Sequence, residues 1–564
     1  ISLSGLSFRS IGPAVTGGRI AAIAVNPNNI SEYYIGSGHG NLWKTENQGV
    51  TFKPVFDNQG AYAIGSVTID PTNSNVVWVG TGENNNQNNV IYGDGVYKSE
   101  DGGKNWKNMG LKNSEHIGGI VVDPNDPNVV YVAAYGSLRN KGGDRGIFKT
   151  SDGGKTWDNV LFISDYTGCF QVHMDPRYSN ILYAIAHQRM RKLYTGVSGG
   201  PESGIYRSTN SGKTWDKMSN GLPSEDVGRI GMSISPANPD FVYAIIEAKE
   251  DDKGFYKSTD RGVSWTKQSS YISSYPFYFQ KIIADPVDEE RVYSMDVFMQ
   301  TTEDGGKTWK NVGYKNKHVD DHSLWINQKN NKHILAGCDG GVYETFDQGE
   351  NWDFKSNIPI TEIYKVSVDY AKPFYNVFIG TQDNNSLAGP SRTINTSGIT
   401  NQDWQFTNSG DGFETQVDWK DPNIIYAQAQ NGGLVRFDKQ SGENLFIKPY
   451  EFTDTAYRFD WDAALLISQH DNHRLYFGGN KLLVTNDQGS TWKEISPDLT
   501  RGVPKEMEKL MGVSWSIDQL AHKSSMAQIV TIAESVLDEN ILYVGSGDGL
   551  IHYTANRGNT WSES

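Results

Sequence analysis

An all-β, multi-bladed β-propeller is the fold class that this sequence predicts, and three observations predict it. One phrase recurs nine times: Ser or Thr, any residue, usually Asp or Asn, any residue, Gly, then Trp or Phe a few positions on. It is clearest in Ser99-Glu100-Asp101-Gly102-Gly103-Lys104-Asn105-Trp106, and it returns over residues 150–157 and 302–309. Looser copies end at Phe52, Trp215, Trp265, Trp352, Trp492 and Trp561. Upstream of each copy lies an apolar strand, a turn rich in Asp, Pro and Asn, and a second apolar strand, as in residues 120–132. The box-ending aromatics are mostly 43 to 58 residues apart, and a fixed period of that size marks an array of one supersecondary unit.

Each element of the unit has a physical reason. The first two strands are apolar runs, and the link between them, rich in Asp, Pro and Asn, closes a tight turn through the Asp side chain. Residues 67–79, 172–185, 232–245 and 282–295 follow the same plan. A longer loop then leads to the third strand, and Asp-x-Gly turns the third strand into the fourth, because Gly supplies a positive φ. The aromatic that follows can pack its ring over that turn. Four antiparallel strands repeated radially make a propeller blade, whereas a solenoid expects a shorter repeat without the hairpin pair.

Eleven units can be counted, their second strands marked by Tyr34, Val79, Tyr131, Tyr183, Tyr243, Tyr293, Leu335, Phe378, Tyr426, Tyr476 and Tyr543. The eighth has no clean box, and the ninth only a worn one near Asp438 to Gly442. Eleven exceeds the usual complement of one ring. The expected organisation is tandem rings: residues 1–356 as a seven-bladed propeller, and 357–564 as a second propeller with four blades visible and incomplete. The alternative is one wide ring of ten or more blades. Trp561 is where the last unit should begin its fourth strand, so either the chain is a fragment or residues 3–8 close the last blade.

Composition narrows the function. The 564 residues carry a net charge of −15 with Lys and Arg scattered, which disfavours nucleic acid as a partner. No run approaches the roughly 18 apolar residues of a membrane span. The most helix-like stretch, residues 504–510, is short. The two cysteines, Cys169 and Cys338, read as buried free thiols rather than a disulfide. No cofactor is indicated with certainty; a divalent metal is one possibility.

In a propeller the box hairpins occupy one face, and the loops joining second to third strands and each blade to the next occupy the other. Function is expected on that second face. Lys317-His318-Val319-Asp320-Asp321-His322 enters the innermost strand of unit seven, and strand alternation puts His318, Asp320 and His322 on one side, a set that could hold a divalent transition metal. Asp321 with His322 could instead serve as an acid–base pair. The competing reading is that these groups bind channel water and neighbouring loops.

Two loops look alike: Gly80-Thr81-Gly82-Glu83-Asn84 and Gly380-Thr381-Gln382-Asp383-Asn384. Each puts a carboxylate and an amide just after a strand, so Asp321, Asp383 and Glu83 are the candidate catalytic carboxylates, since glycosidases need two. Arg19, Arg229, Asn84, Asn384, Asp411 and Trp461 are candidate ligand-binding residues. Arg19 and Arg229 open innermost strands in matching Gly-Arg-Ile contexts, suited either to an anionic group or to nearby carboxylates. The apolar loop at residues 274–279 and the segment 187–200 could present a surface to a protein or glycan.

The repeated phrase is the Asp-box, or BNR repeat. With Phe8-Arg9-Ser10-Ile11-Gly12-Pro13 and Gly17-Gly18-Arg19-Ile20, it resembles secreted bacterial proteins of the sortilin/VPS10-like and "BNR-repeat glycosyl hydrolase" group across essentially the whole chain. The resemblance implies a propeller that is secreted, periplasmic or associated with the cell surface or outer membrane. As a main expectation, such a protein binds a protein, peptide or glycan on its loop face, possibly within an envelope complex. As the alternative, it is a glycoside hydrolase with paired carboxylates in a cleft between two propellers, as in xyloglucan-cleaving relatives. Sialidase is excluded, because no arginine triad with its partner residues follows the Phe-Arg-Ser-Ile segment.

Overall fold

The computed structural model describes the chain except residues 1–4, 6–7, 14, 16, 88–89, 194, 451–456, 503–508 and 516–526. Most of the helix-like stretch 504–510 and most of residues 3–8 therefore lie outside the described residues.

The described residues form eleven antiparallel sheets in chain order, each with a four-strand path in sequence order. The first is Ile20–Val25, Tyr33–Ser37, Leu42–Thr45 and Lys53–Pro54. The last is Ile529–Glu534, Leu542–Ser546, Ile551–Thr554 and Ser562–Glu563, so the eleventh sheet takes its fourth strand from the residues after Trp561. The fourth sheet carries an additional strand, Gly196–Ser198, paired with the long Leu182–Arg191. Among the described residues only short 3-10 turns interrupt the β structure.

The box turns share one hydrogen-bond scheme. Ser99 Oγ accepts from Gly103 N at 2.8 Å and donates to Asp101 Oδ1 at 2.9 Å, and Asp101 in turn accepts from Asn105 N at 2.9 Å. Thr150, Asp152, Gly154 and Thr156 repeat it. Gly103 sits at φ 89, a conformation that a Cβ would strain. These donors hold Asp101 down at about 2.

The box aromatic reaches further than its own turn. Trp106 Nε1 donates to Val55 O at 2.7 Å, Trp157 Nε1 to Met109 O at 2.8 Å and Trp352 Nε1 to Gly313 O at 2.6 Å. Trp492 and Trp561 do the same to Ile447 O and Ile495 O. Each of these indoles thus pins its sheet to the preceding one.

The cores lie between successive sheets. Buried clusters join the first sheet to the second, the second to the third, and so on to the seventh. A further cluster joins Leu335 and Val342 of the seventh to Ile20, Tyr33 and Ile35 of the first, with Ile358 and Ile360. Ser323 Oγ donates to Ile20 O at 2.9 Å across the same contact. Separate cores link the eighth sheet to the ninth, the ninth to the tenth and the tenth to the eleventh. The N-terminal segment runs onto the eighth sheet, where Trp404 Nε1 donates to Ile11 O at 3.0 Å.

Candidate active site

The loops opposite the boxes converge where the first, second, seventh, eighth and ninth units meet. Four of them follow second strands and supply His39, Glu83, Asp339 and Asp383. Others precede first strands and supply Arg19, Asp320, Glu362 and Asp411. Asn384 Nδ2 ties the eighth unit to the others by donating to Asp339 O at 3.0 Å and to Gly17 O at 3.4 Å.

At the base is a buried ionic lattice around Arg19, 1 % exposed. Its Nε contacts Glu83, its Nη2 lies 3.1 Å from Glu362 Oε2, and its Nη1 donates to Tyr278 Oη at 2.7 Å. His39 Nδ1 lies 2.5 Å from Glu362 Oε1. Burial works against each charge, but mutual attraction outweighs it. Arg19 is held above its ordinary range by Glu362 and Glu83, and Glu83 below its own by Arg19 and His39. Glu83 is therefore a structural counter-ion, not a free acid or base.

Above the lattice stand three aspartates, Asp320, Asp339 and Asp383, whose oxygens lie within 4.8 Å of one another. Their environments differ. Asp339 is fully buried, yet His322 Nε2 at 2.8 Å, Tyr278 Oη at 2.6 Å, Gln382 Nε2 at 3.0 Å and the Arg19 charge keep it ionised. Asp320 has no such cation; burial, then the charges of Asp339 and Asp383, push it up to about 9. Asp383 is pushed up to about 7 by burial and Asp339, with His318 Nε2 3.5 Å away opposing the rise. The Asp320 and Asp383 oxygens lie within 4.8 Å of each other, so a proton held by the raised Asp320 can be shared with Asp383 as in a carboxylate dyad.

Both members sit at positive φ, 63 for Asp320 and 57 for Asp383. Such backbone strain, on the order of 1–3 kcal/mol per residue, gathers at functional sites. Asp383 N donates to Asp411 Oδ1 at 2.5 Å, and Trp461 Nε1 donates to Asp411 Oδ2 at 2.7 Å. Asp411 is raised by burial, and these two donors oppose the rise.

The structure brings Asp383, Asp320, His318, His322, Asp411 and Trp461 to one place. His322 is engaged by Asp339, and it stacks on Phe279 at 5.3 Å between ring centres. The oxygens that face each other are those of Asp320, Asp339 and Asp383, a set suited to a hard cation rather than to the transition metal expected of His318, Asp320 and His322.

Asp321 points elsewhere: 1 % exposed, it pairs with Lys317 Nζ at 2.5 Å. Asn84 and Asn384 spend their amide donors on backbone carbonyls. Arg229 has no ion pair within 4.0 Å among the described residues and donates to Phe277 O and Asn84 O. In the two segments offered as surfaces, Tyr278, Phe279, Arg189 and Arg191 are buried, while Tyr275 and Leu193 are exposed.

Asp339, His39, Glu362 and Tyr278 escape a reading of the sequence. A signal for one of them existed. His39, Glu83 and Asp383 all stand two residues after the Ser or Thr that ends a second strand.

A family model described as "Photosynthesis system II assembly factor YCF48" matches residues 248–511. The chain is a β-propeller built from BNR repeats. A solved GH74 xyloglucanase from Xanthomonas campestris shares the fold, with a TM-score of 0.52 at 13 % identity over 98 % of this chain and 94 % of that one. The xyloglucanase Xgh74A of Acetivibrio thermocellus is 28 % identical over 272 residues, 47 % of this chain and 28 % of the relative. A probable oligoxyloglucan-reducing end-specific xyloglucanase of Neosartorya fischeri is 25 % identical over 232 residues, 37 % of this chain and 25 % of the relative. The matches thus span about a quarter of the length of these curated relatives. Among the described residues no helix is long and apolar enough to cross a membrane.

Proposed function

We propose that this chain contributes a glycoside hydrolase site acting on a polysaccharide. The observation that carries the reading is the half-buried Asp320–Asp383 pair, its oxygens within 4.8 Å of each other, beside a third carboxylate held in place by Trp461. Glycoside cleavage needs one carboxylic acid that keeps its proton at working pH and one carboxylate on the other side of the bond. Asp383, backed by Asp320, is the proton donor to the leaving oxygen. Asp411 is the second carboxylate, and whether it activates water or attacks the anomeric carbon depends on the separation of the two carboxyl groups.

The supporting context is the similarity to xyloglucanases, which makes a β-glucan of the xyloglucan type the first substrate to try. The core joining the first and seventh sheets supports a two-ring arrangement divided near residue 356, with the site at the seam. A polymer substrate also fits a protein that is secreted or displayed on the envelope.

The test is release of reducing sugar from a panel of plant and algal polysaccharides by the full chain and by Asp383→Asn. Activity abolished by that substitution supports the reading. Absence of activity on the whole panel, or full activity in the variant, overturns it.

A further inference from the structure

A groove of about 690 Å³ opens between the eighth and ninth units. Asn385 and Ser409 line its inner end, two residues from Asp383 and Asp411 respectively, and Asn385 N bonds Gly410 O at 2.8 Å. Phe406 and Phe446 line it with Asn408 and Asn444. The two rings are 50 % and 55 % exposed, an unusual outlay of apolar surface in one groove.

Two observations narrow what the groove takes. None of its ten lining residues is charged, although charged residues make up 21 % of the chain, so the ligand is neutral. The rings occur alongside amides, the combination that a pyranose matches with its C–H faces and its hydroxyls. A lipid chain would meet the rings but not the amides.

We propose that this groove is a binding subsite for an uncharged saccharide chain, running outward from the Asp383–Asp411 centre. The orientation rests on the glycoside hydrolase reading; the binding does not. Phe406 and Phe446 would each take a sugar face, and Asn444, whose Nδ2 donates to Thr407 O at 3.1 Å, would accept from a hydroxyl through its Oδ1.

The test is isothermal titration of cellohexaose, xyloglucan heptasaccharide, mannohexaose and, as the charged control, hexagalacturonate. The proteins are the full chain, the double variant Phe406→Ala/Phe446→Ala and Asp383→Asn. At least one neutral oligosaccharide should bind the full chain, and the double variant should weaken it about tenfold or more. Both rings are exposed, so melting should be unchanged and loss of fold can be told from loss of binding. Asp383→Asn should still bind while losing turnover. Binding unaffected by the double variant, no neutral oligosaccharide bound, or stronger binding of hexagalacturonate would each overturn the subsite. If Asp383→Asn keeps turnover while the ring variant loses binding, the catalytic reading fails and the subsite stands.

Discussion

Arg19 and Glu83 form an ion pair in which the side chains are 1 % and 3 % exposed. The same guanidinium serves Glu362 and Asp339. A buried pair adds little net stability, but removing one partner leaves the others charged in a low dielectric. Arg19→Met is therefore expected to cost about 3–5 kcal/mol, read as a fall in the urea midpoint of the unit that contains it. Glu83→Gln, which leaves Glu362 and Asp339 to the arginine, should cost less.

Asp383→Asn and Asp321→Asn separate chemistry from architecture. The first removes the exchangeable proton of the dyad and should lower turnover about 10²–10⁴-fold, with melting little changed. The second breaks the Lys317 pair and should lower the melting temperature while turnover per folded molecule is retained. Initial rates alongside calorimetry distinguish the two.

The dyad also makes stability depend on pH. Asp320 at about 9 and Asp383 at about 7 stand above the ordinary carboxylate value of about 4. Between those values the folded chain binds more protons than the unfolded one. This contribution is full below about pH 4 and is lost as pH rises through 7 and 9. Asp320→Asn mimics the protonated group, so its melting temperature should fall less than that of the parent between about pH 6 and 9. Equal slopes would remove the shared proton from the account.

Thr150→Val deletes the hydroxyl that accepts from Gly154 N and donates to Asp152. The cost should be about 1–3 kcal/mol, expressed locally as faster hydrogen exchange at Gly154. The exposed Lys155→Ala serves as the unaffected control.

The sequence carried the architecture because each box is local: its Ser or Thr, Asp and Gly bond one another within four residues. The same locality gives the strand order and the faces, and it placed Asp383, Asp320 and Asp411 on the correct side. The site is not local. Arg19 meets Glu362 across more than three hundred residues, and nothing in either neighbourhood announces the other. Asp321 misled for a specific reason: its carboxylate is spent on Lys317, and the alternation that set His318, Asp320 and His322 on one side puts Asp321 on the other. Asp339 follows Cys338 instead of a Ser or Thr, so it lacked the context that marked Glu83 and Asp383.

The indole staples carry an order in time. Trp106, Trp157, Trp352, Trp492 and Trp561 each complete their hydrogen bond on the unit made before their own. As the chain is made, each of these five blades can dock on a neighbour synthesised before it. In the box that ends at Phe52 the aromatic has no N–H to satisfy. Its turn is clasped instead from the far end of the seventh unit, by Asn357 Nδ2 donating to Gly49 O and Val50 O at 2.9 and 2.8 Å. That clasp is available only after the seventh blade has been synthesised, so the latch comes last.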